Sequence, residues 1–195
     1  MLFIEKITMN RQIIKNNILS VSVFIILKDK RKQPIDETII DKEDLQKLID
    51  LNYSWHRAYY KKIKGYYACA TEYFETEDGK SKHRTILLHT YLTNSKNKYV
   101  DHKNHNTLDN RKDNLRVTNN ARNSQHRNGA NKNNKTGVRN VHLVTRYGGK
   151  QLYLVQLMKN GERYKWEFEL NEFQEACDFA ELKRQEIFGE FAGNG

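Results

Sequence analysis

Proline occurs once and cysteine twice in 195 residues. Cys69 and Cys177 lie far apart and neither has a CxxC partner, which excludes a disulfide scaffold and a cysteine-rich zinc site. A chain without a disulfide framework is expected in a reducing cytoplasm. Long apolar runs are missing as well. None approaches the roughly 20 apolar residues of a membrane span. The longest apolar-rich stretch, Ile18 to Leu27, is interrupted by Ser20 and Ser22 and is followed by no small-residue cleavage site. Neither a membrane anchor nor a signal peptide is therefore expected.

Acidic residues are scarce in one part of the chain only. Residues 80–150 hold 16 Lys and Arg against 3 Asp and Glu, whereas residues 1–79 hold 13 against 12 and residues 151–195 hold 5 against 9. The net charge of +10 is thus carried entirely by the middle third. An isolated basic run is commonly a solvated face, but an excess sustained over so long a segment points to a polyanionic partner. Asparagine is concentrated in the same place: 13 of the 21 Asn lie between Asn94 and Asn134. Amides interleaved with guanidinium groups on irregular backbone suit phosphates and base edges. The 21 aromatic residues supply enough apolar mass for small cores, which excludes wholesale disorder.

The pattern predicts an α+β fold. Ile18 to Leu27 reads as a strand rich in β-branched residues, followed by a charged turn over Asp29 to Pro34. Asp41 is placed to cap a short helix with an apolar face of Leu45, Leu48 and Ile49. Trp55 and Gly65 to Ala70 read as core-facing strand pieces, Glu77 to Lys80 as a hairpin turn, and Arg84 to Leu92 as strand or helix. Asp113 to Thr118 suits a short strand and Asn119 to His126 a short helix. Three strands follow over Val138–Val144, Leu152–Met158 and Arg163–Phe168, with an Asn160-Gly161 hairpin signal between the last two. A helix then places Phe173, Ala176, Cys177, Ala180 and Ile187 on one face, with Asn171 and Gln174 as its capping pair and Gly189 as its stop. The polar stretch Ser124 to Thr136 is the expected linker.

Tyr99 to Gln125 has few apolar anchors, namely Val100, Leu108, Leu115 and Val117. Asx turns or a bound metal would have to hold its shape. Within it, Asp101-His102 stand together, Asn114 follows twelve residues after His102, and Asn123 follows nine residues after Asn114. Adjacent residues on a strand point to opposite sides. A carboxylate beside an imidazole at a strand end can therefore hold a cation with one side chain and act on water with the other. Taken singly, each of these residues is an ordinary surface histidine, turn former or cap. The joint spacing D-H-x(11)-N-x(8)-N inside a basic field is what singles them out.

At these residues the chain resembles the HNH endonucleases of phages and mobile introns, the ββα-metal nucleases. The matching residues are Leu88-His89, Val100-Asp101-His102-Lys103-Asn104, Leu108-Asp109-Asn110-Arg111-Lys112-Asp113-Asn114-Leu115-Arg116, and Asn123. The resemblance implies His102 as general base, Asp101 and Asn123 as ligands of one Mg²⁺ or Mn²⁺ per active site, and Asn114 as the residue that orients the histidine and steadies the loop. His105 departs from the pattern, since relatives often carry Gly there.

The C-terminal part resembles the Apetala/ethylene-response-factor type of DNA-binding domain through Thr136 to Val141, Tyr153 to Leu157, Phe173 to Ala180 and Phe188 to Ala192. Asn140 stands where relatives usually have Gly, and Asn is the next best residue for a left-handed position. That resemblance implies a three-stranded sheet in the major groove, with Arg139, Arg146 and Lys150 as contacts. Lys103, Arg111, Lys112, Arg116, Arg122, Arg127, Lys132 and Lys135 are further candidate contacts to double-stranded DNA. The implied organisation is an N-terminal β extension (1–37), an HNH nuclease domain with its preceding β-rich segment (38–126), a basic polar linker (127–135) and the DNA-binding module (136–192). The expected protein is a sequence-specific DNA endonuclease of a bacterial or phage-infected cell that nicks one strand per site. It would act as a monomer or weak dimer, with no membrane and no protein partner. The alternative is a non-catalytic, sequence-specific DNA-binding regulator with a decayed nuclease half.

Overall fold

A computed structural model describes residues 4–9, 12–17, 22–28, 34–96 and 98–193. The chain divides into two compact units, Met1–Asn119 and Asn120–Gly195. Each combines antiparallel sheet with short helices, so the fold is α+β.

In the first unit, seven strands form one sheet: β1 (Ile4–Met9), β2 (Gln12–Asn17), β3 (Ser22–Lys28), β4 (Pro34–Asp41), β5 (His56–Tyr60), β6 (Gly65–Glu75) and β7 (Ser81–Leu87). The order is β1-β2-β3-β5-β6-β7, with β4 paired to β3 off this path. Neighbours are antiparallel except β3 and β5, which meet in parallel through Lys28 and His56. Residues 29–33 of the expected charged turn lie outside the described residues, and Pro34 opens β4, at a strand start where its missing N–H is tolerated.

Period-two alternation sends Ile25 and Leu27 of β3, Ile40 of β4, and Ala68 and Ala70 of β6 into one core with Leu48, Trp55 and Leu88. Leu48 comes from α1 (Leu45–Leu51), entered through a 3₁₀ turn over Lys42–Asp44. Asp41 makes no side-chain cap there. Its carboxylate accepts the backbone N–H of Lys112 at 2.7 Å instead, because the loop around residue 112 is docked beside it. The ambiguous stretch Arg84 to Leu92 is both things in turn: β7 runs to Leu87 and α2 (Leu88–Leu92) starts at the next residue. A two-stranded hairpin, β8 (Tyr99–His102) with β9 (Leu115–Thr118), completes the unit.

The second unit begins with α3 (Asn120–Gln125) and continues through β10 (Val141–Thr145), β11 (Gln151–Lys159), β12 (Glu162–Phe168) and α4 (Phe173–Phe188). β10, β11 and β12 form an antiparallel three-stranded sheet. Asn160 (φ 53°) and Gly161 (φ 88°) form the two-residue turn with both centres left-handed that joins the last two strands. Val141, Val155 and Leu157 of the sheet pack on Ala176, Ala180 and Phe188 of the helix. Trp166 meets Phe179 edge-on with ring centres 5.2 Å apart. The helix ends at Gly189 (φ 57°), as expected, but its start differs. Asn171 does not cap it; the N-cap residue is Glu172, whose carboxylate accepts the N–H of Glu169.

Two arginines are buried in this unit. Arg139, expected as a groove contact, is only 3% exposed. Its guanidinium donates to the carbonyl oxygens of Gln125 (2.5 Å), Arg127 (2.5 Å) and Ala192 (3.0 Å). Arg184 in turn donates to the carbonyl of Arg139 at 3.0 Å. The Gln125 carbonyl is one of the orphan acceptors at the end of α3, so a buried cation there suits the helix C-terminus. Arg139 is therefore a structural residue that ties α3 and the following chain to the C-terminal segment.

Candidate functional site

The histidine singled out by the sequence ends strand β8. His102 is 4% exposed and pairs with Leu115 of β9, while Asp101 pairs with Arg116 directly across the hairpin. Twelve residues, 103–114, connect the two strands. They have almost no apolar side chains, and the amides and carboxylates hold the loop. Asn114 accepts the N–H of Asn104 on Oδ1 at 2.9 Å and donates from Nδ2 to the carbonyl of Asp109 at 2.7 Å. Its own carbonyl accepts the N–H of Lys103. Asn104 donates from its amide to Asp109 and accepts the N–H of Asn106. Asp109 takes a two-pronged pair of bonds from Arg111, from Nε at 2.8 Å and Nη2 at 2.6 Å, which hold its carboxyl below the usual carboxylate range. His105 adopts φ 60°, the left-handed region where a Gly is at ease, and its N–H reaches back to the carbonyl of His102.

The loop is anchored to the main sheet through β4. Ile39 donates to the carbonyl of Leu108 at 2.9 Å, and Asn110 donates to the carbonyl of Ile39 at 2.7 Å. The side chains continue the attachment. Thr38, fully buried on β4, donates its hydroxyl to the same Leu108 carbonyl at 2.7 Å, and the amide of Asn110 donates to the Thr38 hydroxyl at 2.7 Å. The other end of that amide, Oδ1, lies 3.4 Å from Nε2 of His102.

Rings close the other side of the imidazole. Tyr67 of β6 stacks on His102 at 5.9 Å, and His89 of α2 meets it edge-on at 5.2 Å. Tyr67 and His89 also touch one another at 4.7 Å. Burial pushes the His102 pKa down, against raising contributions from Asn110, Asp101 and Asp109, so the ring is neutral at pH 7. The same burial drives His89 down to about 3. Neutral imidazole is the form that can take a proton.

Asp101 is 7% exposed; its Oδ2 accepts Nε of Arg116 at 2.8 Å, and Nη2 of the same guanidinium lies 2.7 Å from it as an ion pair. Asn123 lies on α3, in the second unit. Among the described residues no group of three or more His, Cys, Asp or Glu side chains is gathered to hold a metal ion. The expected donors are one carboxylate and one carboxamide oxygen. Both are hard, and they are few enough that water or phosphate oxygens must supply the rest.

The candidate DNA contacts fall into three groups. Lys103, Arg122, Arg127, Lys132 and Lys135 are exposed. Five face acids: Arg111 on Asp109, Lys112 on Glu43 and Asp44, Arg116 on Asp101, Arg146 on Glu167, and Lys150 on Glu169. The exposed ones among these pairs are weak and exchange readily for a phosphate. Arg139 alone is buried. No described helix is long and apolar enough to cross a membrane.

The imidazole's contacts with Asn110 and His89 use residues inside the matched sequence stretches, although nothing in the sequence gave them this position. Thr38 carries no sequence signal at all, being one polar residue in an ordinary strand. Asn114, for which the resemblance implies orienting the imidazole and steadying the loop, bonds through its amide to loop backbone. No family model matches the chain, and neither does any curated protein or solved structure.

Proposed function

We propose that this protein is a sequence-specific DNA endonuclease of the HNH type that hydrolyses one phosphodiester per binding event. The observation that carries the reading is His102: a neutral, buried imidazole at a strand end, held beside Asp101 by an asparagine-braced loop. His102 accepts a proton from water, the water oxygen attacks phosphorus, and the bond from phosphorus to the 3′ oxygen breaks. The products are a 5′ phosphate and a 3′ hydroxyl. Asp101 is the residue of the first unit proposed to help hold Mg²⁺ or Mn²⁺, which when bound would neutralise charge at the phosphate and the departing oxygen. Lys103, Arg122, Arg127, Lys132 and Lys135 contribute salt-dependent affinity, and the three-stranded sheet of the second unit contributes sequence choice. The C-terminal unit's sheet on one helix, and the left-handed Asn140 (φ 68°), support the Apetala/ethylene-response-factor comparison as a description of that module.

The second reading is a DNA-binding regulator without catalysis. The Arg116 guanidinium on Asp101 favours it, because it already neutralises the carboxylate that a cation would need. A supercoiled plasmid carrying the DNA that flanks this protein's own gene separates the two. Nicking that requires Mg²⁺, stops with chelator and is lost in His102→Ala supports the endonuclease. Binding without any nicking by the wild type, or full nicking by His102→Ala, rejects it.

A further inference from the structure

Three polar groups on two separate chain segments form a one-way line into the His102 ring. Thr38 Oγ1 and the carbonyl oxygen of Leu108 are 2.7 Å apart. Two oxygens at that distance must share a proton, and a carbonyl has none to give. The Thr38 hydroxyl proton is therefore committed to Leu108. What remains on Thr38 is lone pairs, so the Asn110 amide atom 2.7 Å from it must be the NH₂ end. That fixes the carboxamide: its oxygen, and not its nitrogen, is the end that faces His102 Nε2 at 3.4 Å. A flipped amide would bring its oxygen against an oxygen with no proton to offer, in a place where Thr38 and Asn110 are 0% and 1% exposed and water cannot make up the loss.

We propose that Thr38, through Asn110, sets the tautomer of His102. An acceptor facing Nε2 selects the ring with its proton on Nε2, and the neutral ring then has Nδ1 as its basic nitrogen. Thr38 and Asn110 are positioning residues. Neither touches water or phosphate. They decide which nitrogen of His102 can accept the proton, and the contact at 3.4 Å shortens when the ring becomes positively charged during the reaction and both nitrogens donate. The relay rests on the reading of His102 as general base for its rate consequence, although not for the tautomer itself. It also accounts for a polar threonine on a strand whose neighbour Ile40 is in the core.

The test uses the full chain with ¹⁵N-labelled histidine. Long-range proton–nitrogen correlation spectra at neutral pH identify the His102 tautomer, assigned by loss of the signals in His102→Gln. The wild type is expected in the Nε2–H form. In Thr38→Val, which keeps the shape and removes the hydroxyl, the Asn110 NH₂ loses its acceptor. The amide then gains by turning to donate to Nε2, and the Nδ1–H form appears. Mg²⁺-dependent nicking should fall about tenfold in kcat, with the Mg²⁺ concentration for half-maximal rate unchanged. Thr38→Ser restores both tautomer and rate. A wild-type ring in the Nδ1–H form, or a Thr38→Val protein that keeps the Nε2–H form, overturns the proposal, and the first of these needs no variant to fold. A wild type with the expected tautomer but no nicking would leave the relay standing and reject the endonuclease.

Discussion

His89 makes the first unit acid-sensitive in a way that can be worked out from its surroundings. The ring is buried against Tyr67 and His102, and its Nδ1 has no hydrogen-bond partner among the described residues. Its pKa is pushed down to about 3, first by burial and then by His102. In the unfolded chain it returns to the usual value of about 6.5. Between those two values the unfolded state binds the extra proton and the folded state does not. Stability is therefore full above about pH 6.5 and is lost as pH falls toward 3. Each pH unit in that window costs about 1.4 kcal/mol, so His89 alone removes about 2 kcal/mol on going from pH 7 to pH 5. His102, lowered for the same reason, adds in the same direction. The His89→Phe protein keeps an aromatic ring in the site and removes the titration. Its stability at pH 7 should change little, and its pH dependence should be shallower by that amount. The chain has one tryptophan in each core, Trp55 and Trp166, which makes the measurement selective. Denaturant midpoints at pH 7 and pH 5, read from Trp55 fluorescence in a Trp166→Phe background, report the first unit. The same slope in wild type and His89→Phe would refute the account.

Three further outcomes are expected. Arg139→Met should destabilise the second unit by about 2–4 kcal/mol, because three carbonyl oxygens lose the buried guanidinium that bonds them at once; a melting curve of that unit unchanged from wild type would contradict it. Gly193→Ala should cost about 1–3 kcal/mol in the same assay. Its backbone is left-handed (φ 53°), and an added Cβ would lie 2.7 Å from the carbonyl oxygens of His126 and Arg127 and from Nη1 of Arg139. The double variant Lys132→Ala with Lys135→Ala should reduce the slope of log affinity against log salt by about 2 without altering sequence preference, as loss of phosphate contacts does. A titration series over salt that gives the wild-type slope would remove these lysines from the interface.

How much was readable in advance differs between residues for identifiable reasons. Strand β3, the hairpin at Asn160-Gly161 and the buried face of α4 follow from local rules: β-branched runs, a turn that needs two left-handed residues, and apolar spacing near 3.6. Helix starts were less legible. Asp41 and Asn171 each have the chemistry of a cap, and in each case the structure differs: Asp41 accepts the N–H of Lys112 from a distant segment, and Glu172 stands at the N-cap in place of Asn171. Charge was legible as a sum and misleading residue by residue. Arg139 reads as one more cation in a basic field, yet three carbonyl oxygens from segments 125–127 and 192 converge on it.

The sequence by itself determined the composition of the site: an Asp-His pair, spaced asparagines and a basic surround, all of which are properties of residue type and order. Only the tertiary structure decided how the imidazole is held. Strand β4 brings Thr38 seventy residues across the chain to Leu108, and that one hydroxyl proton, which can point in only one direction, orients Asn110 toward His102. Donor and acceptor direction is a property of neighbours in space, and no spacing along a chain encodes it.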